Sequence, residues 1–266
     1  MFKIVFPINS GQRYYPIHYK YLLSIFTYLN CDITFRANLD IDSTSFFVII
    51  NNEKFIIDFA DSSEYRKLGN GEPIFKFHTK KEDLDKVIPF PPVSFYNWEE
   101  FYKLEKEIKY NPENMIVSNR QRAYAGALER RTKVQTSLKA LLVPAFLRTD
   151  IITQEDFWKE VNEIGLSICI PGQNNNMVDR GQIQLMSFGC CTVSPYLPEQ
   201  LPFGLSFDDC YWKMKDDYSD LIPLIQEYPK NSSSVYKKIG DNAKELFMKT
   251  CTPESIGDWV ELCLTK

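Results

Sequence analysis

Residues 168–195, ICIPGQNNNMVDRGQIQLMSFGCCTVSP, contain the pattern on which the expected fold depends. An apolar run of the buried type comes first, and a polar loop rich in Gly and Asn follows it. A helical pattern then extends from Asp179 to Phe188 and stops at Gly189, and the apolar run Cys191 to Ser194 closes the segment. Strand, loop, helix and strand in this order predict a parallel α/β unit, with the polar loop at the carboxyl end of its first strand.

The same alternation extends through the rest of the chain. Further strands are predicted at 3–8, 46–50, 55–59, 74–78, 115–118 and 211–214, and helices at 18–29, 98–108, 122–142, 153–164, 217–228, 233–249 and 253–264. The stretch 51–54 is predicted as a tight turn, and three prolines within 89–92 mark the strongest break. The pattern predicts an α/β protein of two Rossmann-like, parallel-sheet domains facing a cleft, with C-terminal helices closing the chain. The domains are residues 1–100 and 113–266, with a linker at about 90–113.

The composition of the chain argues against several classes of function and location. Lys and Arg number 31 and Asp and Glu 35, so the net charge of −4 argues against a nucleic-acid-binding protein. No apolar stretch reaches 18 residues and the N-terminus does not resemble a signal peptide, which predicts a cytoplasmic protein without a transmembrane segment. The seven cysteines form no CxxC pair and are expected to be free thiols in a reducing compartment.

The loop and helix start within 172–181 suit an anion, because backbone N–H groups and the helix dipole point towards it there. Arg180 lies in the first helical turn, where its positive charge is unfavourable beside the positive end of the helix dipole, so its position requires an explanation. A bound diphosphate would supply one through paired hydrogen bonds. The alternative is an exposed arginine that pairs with Asp179 or Glu199.

A second basic group begins the C-terminal half. Arg120 and Arg122 directly follow a predicted strand, at a carboxyl end where a phosphate could lie. Arg130 and Arg131 lie on the next helix, and the alternative for these two is solvated pairing with Glu129.

Gly172, Arg180, Gln184 and Gly189 together resemble the donor site of glycosyltransferases with the GT-B fold. That resemblance implies a nucleotide diphosphate sugar as co-substrate, a glycan or glycoconjugate acceptor, and no cofactor or metal. In many such enzymes a Glu stands at position 184 and holds the donor ribose, whereas this chain has Gln184. The donor-binding residues implied are Arg120, Arg122, Arg131, Gly172, Asn174, Asp179, Arg180 and Gln184.

An inverting transfer needs a base for the acceptor hydroxyl, and the N-terminal half offers His18, Asp61 and His78. A retaining mechanism would need no such base, so the stereochemistry stays open. The DxD triplets at 40–42 and 83–85 are interpreted as solvated carboxylates rather than metal ligands. Aromatic residues that could stack on acceptor sugars, if not in the core, are Tyr14, Tyr15, Tyr19, Phe95 and Tyr96.

Two alternative functions remain. One is a non-catalytic module of the same fold that binds a nucleotide or glycan, and the other is a sugar-nucleotide epimerase. A dinucleotide-dependent oxidoreductase is disfavoured, because no GxGxxG follows the first strand.

Overall fold

The computed structural model describes residues 2–9, 14–172 and 177–265. It divides into two compact units. The first unit comprises Met1–Trp98, Glu199–Ser206 and Lys249–Lys266, and the second comprises Glu99–Pro198 and Phe207–Met248. The division at residue 98 falls inside the predicted linker. The segment 249–266, predicted to belong to the second domain, instead packs with the first unit.

The chain contains strands and helices throughout both units. In chain order the strands are β1 (Lys3–Pro7), β2 (Asp32–Arg36), β3 (Asp40–Asp42), β4 (Ser45–Ile50), β5 (Glu53–Asp58), β6 (Ile74–Lys76), β7 (Thr79–Lys80), β8 (Ile88–Pro89), β9 (Ile116–Ser118), β10 (Leu147–Arg148), β11 (Ile164–Ile168), β12 (Thr192–Ser194), β13 (Glu199–Gln200) and β14 (Trp212–Lys213). The α-helices are α1 (Pro16–Tyr28), α2 (Trp98–Glu107), α3 (Leu128–Leu141), α4 (Gln154–Lys159), α5 (Arg180–Ser187), α6 (Leu221–Glu227), α7 (Ser233–Thr250) and α8 (Pro253–Leu264). This arrangement confirms the predicted α/β class.

The sheet of the first unit is mixed, with strand order β2-β1-β4-β5-β6-β8 and β3 added to β4. Strand β4 runs antiparallel to both β1 and β5, whereas β2, β6 and β8 pair in parallel. The prediction of an all-parallel first sheet is therefore wrong. The antiparallel pairing of β4 with β5 results from the tight turn between them. In this turn Asn51 and Asn52 adopt φ of 50° and 74° and close the two strands into a hairpin.

The sheet of the second unit is parallel at every pairing and has the order β10-β9-β11-β12-β14. Numbered within the sheet this is 2-1-3-4-5, the order of a doubly wound α/β domain. All five residues of β11 are buried, as expected for a central parallel strand covered on both faces. The core of this unit joins β11 to α3 and α7 through residues such as Leu166, Leu138 and Tyr236.

Glycine permits one very close approach in the second unit. Gly189 ends α5 with φ of 78°, the left-handed conformation typical of a helix C-terminus. A Cβ built on Gly240 of α7 would lie 1.9 Å from the carbonyl oxygen of Gly189. Helix α7 therefore packs against the end of α5 at a distance that a side chain at position 240 would prevent.

Helix α8 packs against the other two segments of the first unit and connects them. It begins with a capping box, in which Thr252 and Ser255 each accept a backbone N–H of the other. The indole Nε1 of Trp259 donates to the Pro89 carbonyl at 2.9 Å, and its ring contacts Phe203 at 5.1 Å between centroids. Ile256 and Val260 are completely buried. Residues from all three segments thus share one core.

The seven cysteines are free thiols, as predicted, and five of them are buried. Burial raises the pKa of Cys169 to about 12 and also raises that of Cys191. These thiols consequently behave as small apolar side chains in the core.

Candidate functional site

The second sheet has a topological switch point between β9 and β11. Strand β10 lies on one side of β9, and β11, β12 and β14 follow on the other. Ser118 and Ser167 are register partners, so the connections that leave β9 and β11 emerge side by side. Ligands of open α/β sheets bind at such a point, outside the carboxyl ends of the strands. We call this region, residues 119–122 together with 169–172 and 179–181, the switch-point edge.

Side-chain amides fix the two connections to each other. Asn119 donates through Nδ2 to the Ile168 carbonyl at 2.8 Å, and Gln121 accepts the Ile170 N–H through Oε1. Gln135 of α3 donates to both Asn119 Oδ1 and the Gln121 carbonyl. The backbone at this edge is therefore held in one arrangement by side chains of the connection after β9 and of α3.

Arg131 lies beneath this edge rather than at its surface. Its guanidinium is 2% exposed and donates to the carbonyls of Ile170 and Arg122 and to Asp179 Oδ2, each at 2.8 Å. The side chain predicted to contact a donor instead holds the two connections together. Its position on α3, facing β11, explains why it is covered.

The N-terminus of α5 is already capped by a carboxylate. Asp179 accepts the Gly181 N–H at 2.9 Å and pairs with Arg131. The predicted anion position at this helix start is thus held by the chain's own carboxylate. The Gly172 carbonyl accepts a hydrogen bond from Arg130, so Gly172 lies at the edge as predicted, whereas Asn174 lies outside the described residues.

Arg180 and Gln184 are linked through Gln154 of α4. Arg180 Nη2 donates to Gln154 Oε1 at 3.3 Å, and Gln154 Nε2 donates to Gln184 Oε1 at 2.9 Å. Gln184, which the resemblance assigns to the donor ribose, is 1% exposed. Arg180 is half-buried at the edge and is held there by its hydrogen bond to Gln154.

The two arginines after β9 differ in exposure. Arg120 forms an ion pair with buried Glu160 at 2.6 Å and donates to the Asp150 carbonyl at 2.9 Å, so its predicted contact with a donor is replaced by a structural one. Arg122 is exposed, and within the described residues its guanidinium has no hydrogen-bond partner. Of the predicted arginines, Arg122 therefore remains exposed to a ligand, whereas Arg180 is half-buried and donates to Gln154.

Buried polar atoms without partners also mark this edge. Gln121 Nε2 and Ser194 Oγ are covered, and neither finds a hydrogen-bond partner in the part of the chain that the structure describes. Ser194 ends β12, the strand beside β11. An unpaired buried polar group costs about 1–3 kcal/mol, so each of these atoms calls for a partner, such as a bound water, an ion or a ligand.

The first unit brings the three predicted base candidates to one edge of its sheet. Strands β1, β5 and β6 point the same way, and the candidates follow them: His18 in α1, Asp61 after β5 and His78 after β6. The His18 ring stacks on Phe59 at 5.3 Å and contacts Phe77 at 5.7 Å. Asp61 is exposed.

His78 has a buried carboxylate partner that the sequence did not indicate. Its Nδ1 lies 2.5 Å from Oε1 of Glu199, and the two side chains are 9% and 2% exposed. Glu199 belongs to β13, which pairs antiparallel with β7 immediately after His78. Glu199 lies 121 positions after His78, in a strand of two residues. So short a strand has no sequence pattern that would predict its pairing, and the contact between Glu199 and His78 was therefore not predicted.

A second buried ionic group lies at the same sheet. Asp58 and Lys76, at the ends of β5 and β6, are completely buried and pair at 3.3 Å, and Arg66 contacts Asp58 at 2.5 Å. Burial lowers the pKa of the Lys76 amine. Asp58 and Lys76 are internal and paired with each other, and Arg66, which is 31% exposed, also pairs with Asp42.

Among the aromatic candidates, Tyr14, Tyr19 and Phe95 belong to the core. Tyr15 and Tyr96 are 56% and 47% exposed, and the Tyr15 ring lies 5.1 Å from that of His18. Tyr15 therefore offers an exposed face beside the base candidates.

Neither a protein-family model nor a curated protein matches the chain. Across the described ranges, no helix combines the length and the apolar character needed to cross a bilayer. In the same part of the chain, no group of three or more His, Cys, Asp or Glu side chains is placed to hold a metal ion.

Proposed function

We propose that this chain is a glycosyltransferase that moves a sugar from a nucleotide diphosphate sugar to a hydroxyl of a glycan acceptor. In this proposal the switch-point edge binds the nucleotide diphosphate, and the two units correspond to the donor and acceptor halves of a GT-B-like enzyme. The first unit departs from a Rossmann sheet by its reversed strand β4.

The observation that carries the proposal is the chemistry left unused at the switch-point edge. Arg122 is exposed, Arg180 is half-buried with a 3.3 Å hydrogen bond to Gln154, and the covered atoms Gln121 Nε2 and Ser194 Oγ lack partners within the described residues. A diphosphate would accept hydrogen bonds from the guanidinium groups. Positive charge at this position would also stabilise the departing diphosphate.

The resemblance of Gly172, Arg180 and Gly189 to a GT-B donor site supports the same assignment. Gly172 lies in the connection after β11, and Gly189 directly follows the end of helix α5.

The test compares Arg122→Ala and Arg180→Ala with Lys139→Ala. Lys139 is an exposed lysine in the last turn of α3, at the opposite edge of the sheet, so it controls for loss of one positive charge. Affinity for UDP, GDP, CDP and dTDP would be measured by calorimetry, and transfer by release of the nucleotide from its sugar conjugates.

We expect the unaltered protein to bind one of these nucleotides and to release it from the conjugate. Each arginine variant should bind about 10- to 100-fold more weakly, because a hydrogen bond to a charged group is lost. Unchanged affinity in both variants would contradict the diphosphate site. Binding without release would indicate a non-catalytic module, and an isomerised conjugate without free nucleotide would indicate an epimerase.

A further inference from the structure

We propose that two copies of this chain associate through β2, the last strand on one side of the first sheet. In this dimer the two β2 strands run antiparallel, and Thr34 lies opposite Thr34 of the second copy. The surface belongs to the first unit alone, so the inference is independent of the proposed function.

Strand β2 presents a long, unprotected edge. Within the described residues it pairs only with β1, in an unbroken register from Asp32 to Arg36, and four of its five residues are exposed. Edge strands are usually kept from pairing by shortness, a proline, a lysine or a bulge. The remaining ends of the two larger sheets follow this rule, because β8, β10 and β14 have two residues each and β8 contains Pro89. Strand β2 has none of these features.

The backbone groups of Ile33 and Phe35 point away from the sheet. The N–H of Asp32 donates at 3.0 Å to the carbonyl that precedes β1, and the carbonyl of Arg36 accepts at 3.2 Å the N–H that follows β1. Both residues therefore face β1, and Thr34 between them does so too, because successive residues of a strand face opposite sides. Ile33 and Phe35 consequently each offer one donor and one acceptor to a neighbouring strand.

An antiparallel pairing centred on Thr34 uses these groups. It places Ile33 opposite Phe35 of the second copy, and the two residues then exchange both of their backbone hydrogen bonds. The two-fold axis repeats the same pairing on the other side of Thr34. Asp32 comes to lie opposite Arg36, at the type of position where the side chains of antiparallel strands are closest.

The side chains of β2 complement a second copy of the same strand. Asp32 and Arg36 are exposed, and neither forms an ion pair in the part of the chain that the structure describes, so the dimer supplies each with an opposite charge. On the other face, Phe35 is 55% exposed and would cover half-buried Ile33 of the second copy. Opposite charges at the two ends of one strand favour a second copy over a chain of different sequence.

The unaltered protein is expected to form a weak, concentration-dependent dimer. Pairing of two short edge strands buries a small area, so we expect a dissociation constant of about 1–100 µM, as for a transient interface. Sedimentation equilibrium at concentrations on both sides of this range measures the constant.

Two charge-reversal variants, Asp32→Arg and Arg36→Asp, test the pairing. Each variant alone places like charges opposite each other across the strands, which should weaken its dimer by at least about tenfold. A mixture of the two restores opposite charges at both positions, because residue 32 of one variant lies opposite residue 36 of the other. The mixture should therefore associate about as strongly as the unaltered protein.

Lys67→Glu is the matched control. Lys67 is an exposed residue in the connection between β5 and β6, so its reversal changes the charge of the same unit away from β2. This variant should dimerise like the unaltered protein. Thermal denaturation of all three variants should agree, which separates loss of the dimer from loss of the fold.

Amide hydrogen exchange detects the strand pairing without any substitution. The Phe35 N–H points to the open edge, so its exchange should slow as the protein concentration rises through the dissociation constant. The Thr34 N–H faces β1 and should respond much less, which makes it the internal control.

Four results would overturn the proposal. The first is a monomer at every concentration, which would leave the edge to a different partner, such as an extended peptide. The second is a charge-reversal variant that dimerises as strongly as the control. The third is a mixture of the two variants that stays monomeric, because the pairing centred on Thr34 requires it to associate. The fourth is a dimer in which exchange of the Phe35 N–H does not slow.

Discussion

A buried guanidinium holds the carboxyl edge of the second sheet together. Arg131 joins the connections that leave β9 and β11 and pairs with the carboxylate that caps α5. Asp179 thus performs two tasks, since it also accepts the Gly181 N–H. Removing the arginine would leave two carbonyls and one carboxylate without their donor.

Arg131→Ala is expected to lower the free energy of unfolding by about 3 kcal/mol, the scale for breaking a buried ion pair from one side. Urea denaturation followed by tryptophan fluorescence measures this loss. Lys133→Ala, an exposed change on the same helix, should stay within about 0.5 kcal/mol of the unaltered protein. Equal stability of the two variants would show that Arg131 does not stabilise the edge.

The sequence shows basic residues after β9 and in the first turns of α3 and α5, but it does not show their partners. Arg120, Arg131 and Arg180 lie at these positions in the structure. Which of them face inward depends on partners distant in the chain, such as Glu160 for Arg120. Local patterns carry no information about such pairs, and the same limit kept Glu199 from being linked to His78.

At the scale of elements, the contact between α7 and the end of α5 depends on two glycines. The Gly240 Cα faces the Gly189 carbonyl so closely that no side chain fits between them. The interior of a helix is otherwise an unfavourable place for glycine, because alanine is preferred there by about 1 kcal/mol. Close packing explains the presence of glycine at position 240.

Gly240→Ala is expected to destabilise the protein by about 3 kcal/mol, since the added methyl group meets backbone that must shift. Gly172→Ala is the matched control, because a Cβ there would meet its nearest atoms at 3.9 Å, an ordinary contact. Thermal denaturation of both variants compares them directly. A melting temperature of Gly240→Ala at or above that of Gly172→Ala would contradict this account.

Long periodic elements were predictable, and short or edge elements were not. Helices α7 and α8 lie within a residue of their predicted bounds. Helix α3 starts at Leu128 instead of Arg122, because Ala125–Ala127 forms a 3-10 turn in front of it. Strands of two residues, such as β7 and β13, are defined by their hydrogen-bonded pairing with each other, and no local sequence pattern predicts them.

At the scale of the whole molecule, the first unit is built from three separate segments. Its core needs α8, whose Trp259 contacts both Pro89 and Phe203. The second unit contains none of α8, because its last residue is Met248. The two units therefore differ in their dependence on residues 249–266.

A chain ending at Met248 is expected to lose the native first unit and to keep the second. Hydrogen exchange should show lost protection of β4 and β5, because the buried residues Ile256 and Val260 no longer cover that unit's core. Amides of β11 should keep their protection. A chain ending at Leu264 is the control, and full protection of β4 in the shorter chain would contradict the expectation.

The division into two units affects the order in which they can fold during translation. The ribosome synthesises the chain from its N-terminus, and domains near the N-terminus usually fold first. Here residues 1–98 emerge early but lack β13 and α8, whereas the second unit has every residue once Met248 has been made. The later-made unit can thus finish first, and the His78–Glu199 pair can form only after Glu199 has been made.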